Sequence, residues 1–237
     1  MDRPTQIAHV RADSAALLDA HAAAPDAPVP SCGEWDRTEL LRHVALFHSW
    51  IRYQVESGPD VKVRFRDTPQ PGPDDDLRAW FADNVEGLVA ALEGVDDAAT
   101  WHTFAGPQPG SFYPRRMALE TAVHRWDADG SAIEPALAVD GVDELLHTFV
   151  PILPPEHFGG ARGTVHLHAT DTEGEWLITF GPEGVTATEG HAKGDVALRG
   201  TASDLYLWTW NRVPVDDRFE VFGDPALLDV WREKVAF

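Results

Sequence analysis

Apolar residues in the first half of the chain recur at helical spacing. Ile7, Val10, Ala15, Leu17 and Leu18 predict a helix from Thr5 to about Ala23, ended by the proline-rich stretch Ala24 to Pro30. Asp36-Arg37-Thr38-Glu39 has the form of a capping box, and the apolar run behind it, from Leu40 to Ile51, predicts a second helix ending near Gly58-Pro59. Pro59 to Pro73 reads as a connector, with the alternation Lys62-Val63-Arg64-Phe65-Arg66 marking a short extended piece. Three aspartates, Asp74 to Asp76, suit a helix amino terminus, and Leu77, Trp80, Phe81, Val85, Leu88, Val89 and Leu92 carry that helix to Gly94. After a Gly/Pro-rich loop from Gly106 to Gly110, Pro114 sits in the first turn of a fourth helix, Arg115 to about Asp129.

The period then changes. Val142 to Leu153 reads as a short helix broken by Pro151, after which Thr164 to Thr170 alternates as a strand and Glu175 to Phe180 follows as another. Further strands are expected at Gly184 to Thr188, Asp195 to Leu198 and Phe219 to Phe222. Thr201-Ala202-Ser203-Asp204 opens a helix through Leu205, Leu207, Trp208 and Trp210, and Asp224-Pro225 opens a closing one. The fold class is therefore α+β, a four-helix bundle over residues 1–138 followed by a small mixed domain over 139–237.

Composition narrows the function. Asp and Glu number 39 against 19 Lys and Arg in 237 residues, a formal net charge of -20. Nucleic acids and anionic membranes are polyanions that need a basic face, so neither is expected as a partner. A single cysteine, Cys32, excludes an internal disulfide and any Cys-x-x-Cys site. No secretory leader or run of about 18 apolar residues is seen, which makes a cytoplasmic protein the expectation. The acidic excess is spread over both halves, as on a solvated surface.

The segment from Arg115 to Asp127 carries the chemistry. Glu120 and His124 are four apart, so on a helix they share a face. A carboxylate and an imidazole directed together into a bundle are costly unless something charged lies between them, and a divalent metal answers that cost. A third ligand should come from another helix. His43, in register with Leu40, Phe47 and Trp50, is the candidate, whereas His48 lies about 140° around the same helix, so the two cannot both point inward. Spacing alone leaves open a surface pair at Glu120 and His124 with an ordinary core histidine at His43. His166 and His168 face one side of a strand but have no third partner in the sequence. Trp35, Trp50, Trp80 and Trp126 read as core packing or helix ends. Cys32 reads as a small packed group, with a nucleophilic thiol as its alternative.

Cys32-Gly33-Glu34-Trp35-Asp36, Leu40-Leu41-Arg42-His43, Arg115-Arg116-Met117, Glu120 and His124-Arg125-Trp126-Asp127 resemble the mycothiol-dependent maleylpyruvate isomerase family. Gly200 to Leu205 and Val221 to Pro225 extend the likeness to its second domain. The resemblance implies a DinB-like metal-binding four-helix bundle, with His43, Glu120 and His124 holding a divalent metal, usually zinc, and a sterol-carrier-like second domain. It implies mycothiol as cofactor and a small electrophilic substrate, with cis/trans isomerisation or S-transfer as the reaction. It also implies Arg212 as a catalytic arginine, although a glycine usually precedes that arginine and here Asn211 does. Arg115 or Arg116 would serve with Arg212 to bind a substrate carboxylate. A metal-dependent hydrolase at the same site and a non-catalytic small-molecule-binding protein are the alternatives. A monomer or weak homodimer is expected.

Overall fold

The computed structural model describes residues 1–72 and 74–235 and divides the chain into two compact units, Met1–Ser131 and Ala132–Phe237. The division falls ahead of the boundary at residue 138 drawn from the sequence. Residue 138 lies inside a helix, Pro135–Glu144, whose contacts are with the second unit.

The first unit is a bundle of α1 (Arg3–Ala23), α2 (Arg37–Ser57), α3 (Leu77–Glu93) and α4 (Phe112–Asp129). The first three starts are capped by side chains. Asp2 Oδ1 accepts from the Thr5 amide, Asp36 and Glu39 form the reciprocal capping box, and Asp76 accepts from the Arg78 and Ala79 amides. Gly130, at φ 74, closes α4 in the left-handed region. The core is drawn from one face of α1, α2 and α3 and from nearly the whole circumference of α4, with Leu17, Leu40, Leu41, Phe81, Leu88 and Met117 fully buried.

Two segments differ from the sequence reading. Lys62 to Arg66 forms no strand; the chain there turns into a 3₁₀ segment, Phe65–Asp67. Side chains of α2 take the place of a strand partner: Gln54 Nε2 donates to Val61 O, Gln54 Oε1 accepts from Val63 N, and Trp50 Nε1 donates to Val63 O. The connector's last residue, Pro73, lies outside the described residues. The expected loop at Gly106 to Gly110 is instead one arm of a hairpin, β1 (Thr100–Thr103) paired with β2 (Gly106–Pro109). Its two prolines are at positions 107 and 109 of a two-stranded edge, where a missing amide donor is tolerated.

The second unit begins with α5 (Pro135–Glu144), earlier than Val142, because Glu134 caps it and Pro135 occupies its first turn. The helix runs on through a π turn, Leu145–Phe149, and a 3₁₀ turn, Val150–Ile152. A five-stranded sheet follows in the order β5 (Gly184–Glu189), β4 (Glu175–Gly181), β3 (Gly163–Ala169), β6 (Val196–Gly200), β7 (Glu220–Gly223). Only the β3–β6 pair is parallel. Val165, Leu167, Trp176, Ile178, Val196 and Leu198 are buried on one face, and the alternate residues occupy the other. The core face packs under helices α6 (Ala202–Thr209) and α7 (Ala226–Lys234). Trp208 and Trp231 stack with centroids 5.6 Å apart, joining α6 to α7, and Trp176 Nε1 donates to Asp143 Oδ1 at 2.6 Å, joining β4 to α5. Gly141 lets α5 approach α6 closely, since a Cβ there would collide with the Tyr206 ring.

The four tryptophans read as core or helix-end residues, Trp35, Trp50, Trp80 and Trp126, are each half-buried. The tryptophans of the two cores are Trp101, Trp176, Trp208 and Trp231.

Candidate metal centre

The site lies where α2 meets α4. Four-residue spacing on α4 stacks Glu120 and His124, with Glu120 Oε1 3.1 Å from His124 Nε2. From α2, His43 brings its Nε2 to 4.0 Å from the same Glu120 oxygen, and the two imidazoles meet edge to face with centroids 5.0 Å apart. One donor atom from each of His43, Glu120 and His124 lies within 4.8 Å of the others. Trp35 packs on the outer side of His43, with centroids 5.0 Å apart.

Arg116 and Asp127 hold these groups in place. Arg116, buried one turn before Glu120, bonds to Glu120 Oε2 and leaves Oε1 to face the histidines. This removes Arg116 from the expected binding of a substrate carboxylate. Asp127, three residues beyond His124 and with a fully buried side chain, places Oδ2 2.9 Å from His124 Nδ1. Ser31 donates to Asp127 Oδ1 at 2.6 Å, and Cys32 Sγ lies 3.5 Å from Oδ2. Cys32 therefore belongs to the support of His124 rather than to general packing. The signal for Asp127 was present as the i, i+3 spacing from His124; Ser31 and Cys32 reach it only through the fold.

The electrostatics follow from this packing. Burial pushes the Glu120 carboxyl up, but Arg116 and His124 outweigh it and hold the group well below the usual carboxylate range. Burial alone would lower His124. Its hydrogen bonds with Asp127, Cys32 and Glu120 prevail and raise it well above an ordinary imidazole. His48 is separate from the ligand set, as its position on the helix implied, yet it does point inward. It is fully buried in the core, stacked on Phe81, with Nε2 2.9 Å from Thr121 Oγ1, and burial lowers it to about 3.

The donor set fits a divalent metal of the zinc type. Two imidazole nitrogens and one carboxylate oxygen are three protein ligands, and tetrahedral zinc with bonds of about 2.0–2.1 Å spaces its ligand atoms about 3.3 Å apart. The 3.1 and 4.0 Å separations from Glu120 Oε1 bracket that value. With Nδ1 donating to Asp127, His124 would offer Nε2 to such an ion.

An aromatic surface continues from the triad along α2. Phe47 and Trp50 follow His43 by one and two turns and meet edge to face at 5.6 Å. Phe104, from the hairpin turn, packs on both at 6.2 and 5.7 Å while remaining 43 % exposed. Tyr113, nearby, is buried and its hydroxyl is pushed up to about 12 by desolvation.

In the second unit, Arg212 follows α6 half-buried, its amide bonded to Leu207 O at 2.8 Å and Nη1 3.3 Å from Trp210 O. Asn211 before it has φ 57, a left-handed conformation that glycine takes freely and asparagine tolerates best among other residues. His166 and His168, left without a third partner in the sequence, are joined in the fold by Glu175 and His191.

A four-helix bundle bearing a His–Glu–His constellation, followed by a mixed-sheet unit with three helices, defines a two-domain α+β class of protein. The chain belongs to the mycothiol maleylpyruvate isomerase family: residues 7–129 match the "Mycothiol maleylpyruvate isomerase N-terminal domain" and residues 136–229 the "MDMPI C-terminal domain". The fold is also that of solved structures of the mycothiol-dependent maleylpyruvate isomerase. A mutant form superposes with a TM-score of 0.65 and another structure of that protein with 0.63, each at 14 % identity over 93 % of both chains. Among curated proteins none matches the chain in sequence. Among the described residues, no helix is long and apolar enough to cross a membrane.

Proposed function

We propose that this protein is a metal-dependent enzyme that uses a low-molecular-weight thiol, mycothiol by its family, to isomerise or S-transfer a small electrophilic substrate bearing a carboxylate. The observation that carries the reading is the convergence of His43, Glu120 and His124, with Asp127 fixing the inner tautomer of His124. Bound there, a divalent ion such as zinc would supply the positive charge that keeps a thiol deprotonated near neutral pH.

The chain's own residues do the rest. Arg116 holds Glu120 ionised and oriented, and Asp127 accepts a hydrogen bond from His124 Nδ1–H, which leaves Nε2 to face the metal position. The half-exposed rings of Phe47, Trp50 and Phe104 give the apolar part of a ligand a surface next to the triad. Arg212 is proposed to bind the substrate carboxylate, in line with the family's arginine at that turn. The thiolate adds to one carbon of a conjugated double bond, and the carbon–carbon bond, now single, rotates. Expulsion of the thiolate restores the double bond in the other geometry and returns the thiol unchanged. If the carbon–sulfur bond is kept, the carbanion left by addition takes a proton from water and the thioether is the product; if a leaving group departs with the electron pair instead, the result is also S-transfer.

The test is a reaction of the metal-loaded protein with maleylpyruvate, with and without mycothiol, beside elemental analysis. Turnover should require the thiol, and His43→Ala and His124→Ala should each lose most of the roughly one equivalent of metal bound at this site, together with activity. Turnover that is equally fast without thiol would point to water as the nucleophile and sink the thiol mechanism. Full metal occupancy of this site in both variants would sink the ligand assignment.

A further inference from the structure

The non-core face of the sheet carries four metal-ligating side chains far in sequence from the bundle triad. His166 and His168 stand two apart on β3 and project to the same side, opposite buried Val165, Leu167 and Ala169. His168 is paired in register with Glu175, the first residue of β4. His191 arrives from beyond β5, where Gly190 at φ 107 turns the chain and its amide bonds to Glu175 O at 2.9 Å. As a result Glu175 Oε2 lies 2.9 Å from His166 Nε2 and 2.7 Å from His191 Nδ1, and Oε1 lies 3.4 Å from His168 Nδ1.

We propose that His166, His168, Glu175 and His191 form a second divalent metal site, of zinc class, distinct from the triad of the bundle. One donor atom from each of the four lies within 4.8 Å of the others, and no ion is needed to draw them from distant parts of the sheet. Three imidazoles with one carboxylate suit zinc or a neighbouring borderline ion rather than calcium or magnesium, which take oxygen ligands. Two histidines at strand spacing and a cross-strand carboxylate are held by the backbone ladder, so little ordering remains to be done when an ion binds.

A plain hydrogen-bonded network accounts less well for His191. Its side chain is 80 % exposed and yet its ring is directed onto Glu175. An exposed imidazole gains little from a carboxylate in water, so such a contact alone is weakly ordered; as a fourth ligand it completes a tetrahedral set.

The experiment is a titration of the chelator-stripped full chain with Zn²⁺ alone, in competition with a chromophoric chelator, comparing the parent with His168→Ala/His191→Ala. Both changed residues are at least partly exposed, and the metal-free forms are expected to melt together. The double variant should bind one equivalent fewer than the parent. Imidazole nitrogen resonances of His166, His168 and His191 should shift on zinc addition in the parent whether or not those of His43 and His124 do. A double variant that binds as many equivalents as tightly as the parent overturns the proposal, as do unshifted resonances at all three histidines.

Discussion

Asp127 and His124 form a buried pair on one face of α4, Oδ2 to Nδ1 at 2.9 Å, and this bond turns the opposite nitrogen of His124 toward Glu120 and His43. The carboxylate is itself tied down by Ser31, from the segment just before α2. The ligand histidine is therefore oriented by parts of the chain almost a hundred residues apart.

Asp127→Asn keeps the size of the side chain and removes its charge. Loss of such an outer-shell carboxylate weakens metal binding about 10- to 100-fold. Competition with a chelator should show this fall, with secondary structure by circular dichroism unchanged. Equal affinity would mean that Asp127 does not orient the ligand.

Arg116→Met should destabilise the metal-free protein by about 3 kcal/mol, because removing one partner of a buried pair leaves the other charge uncompensated. Glu120 is the charge left behind. Restoring neutrality with Arg116→Met/Glu120→Gln should recover most of the loss in a urea melt. A double variant as unstable as the single one would show that Arg116 acts by packing instead.

Phe104→Ala removes a ring that is 43 % exposed yet packs on both Phe47 and Trp50. Its melting temperature should barely move. KM for the thiol or the second substrate should rise several-fold with little change in kcat, as for a contact made equally in ground and transition states. A change confined to kcat would place the ring elsewhere in the mechanism.

His48 supplies a pH dependence. Its folded value of about 3 lies below the ordinary 6.5, so between these limits the unfolded chain binds one more proton than the native one. Stability from this residue is full above pH 6.5 and is lost as pH falls, at up to about 1.4 kcal/mol per pH unit. His48→Gln, which cannot titrate and can still bond Thr121, should show an acid slope shallower by one proton in urea melts between pH 6 and 4. An unchanged slope would show that His48 accepts its proton while folded.

Local rules written in the chain were enough for most helices and strands, although α5 begins at Pro135, ahead of the expected Val142. The capping box at Asp36 and Glu39, the aspartate before α3 and the alternation in β3 and β4 each act within a few residues. The hairpin of β1 and β2 escaped because its prolines signal a loop, and Lys62 to Arg66 failed as a strand because its partners are side chains of α2. Neither signal is local.

The candidate sites divide in the same way. Glu120 and His124 share a helix face by spacing, and His43 entered through the family likeness and its register on α2; these are properties of sequence order and helical period. Asp127 as the orienting partner, Arg116 as the holder of Glu120, and Cys32 and Ser31 as their supports depend on how α4 meets the segment before α2. His166 and His168 could be seen as a pair on one strand, but Glu175 and His191 reach them only across a cross-strand register and a left-handed turn at Gly190. Sequence determines which side chains one element presents together, because backbone periods are local. Which side chains from separate elements converge on one point is set by packing and strand register, and the folded chain alone decides that.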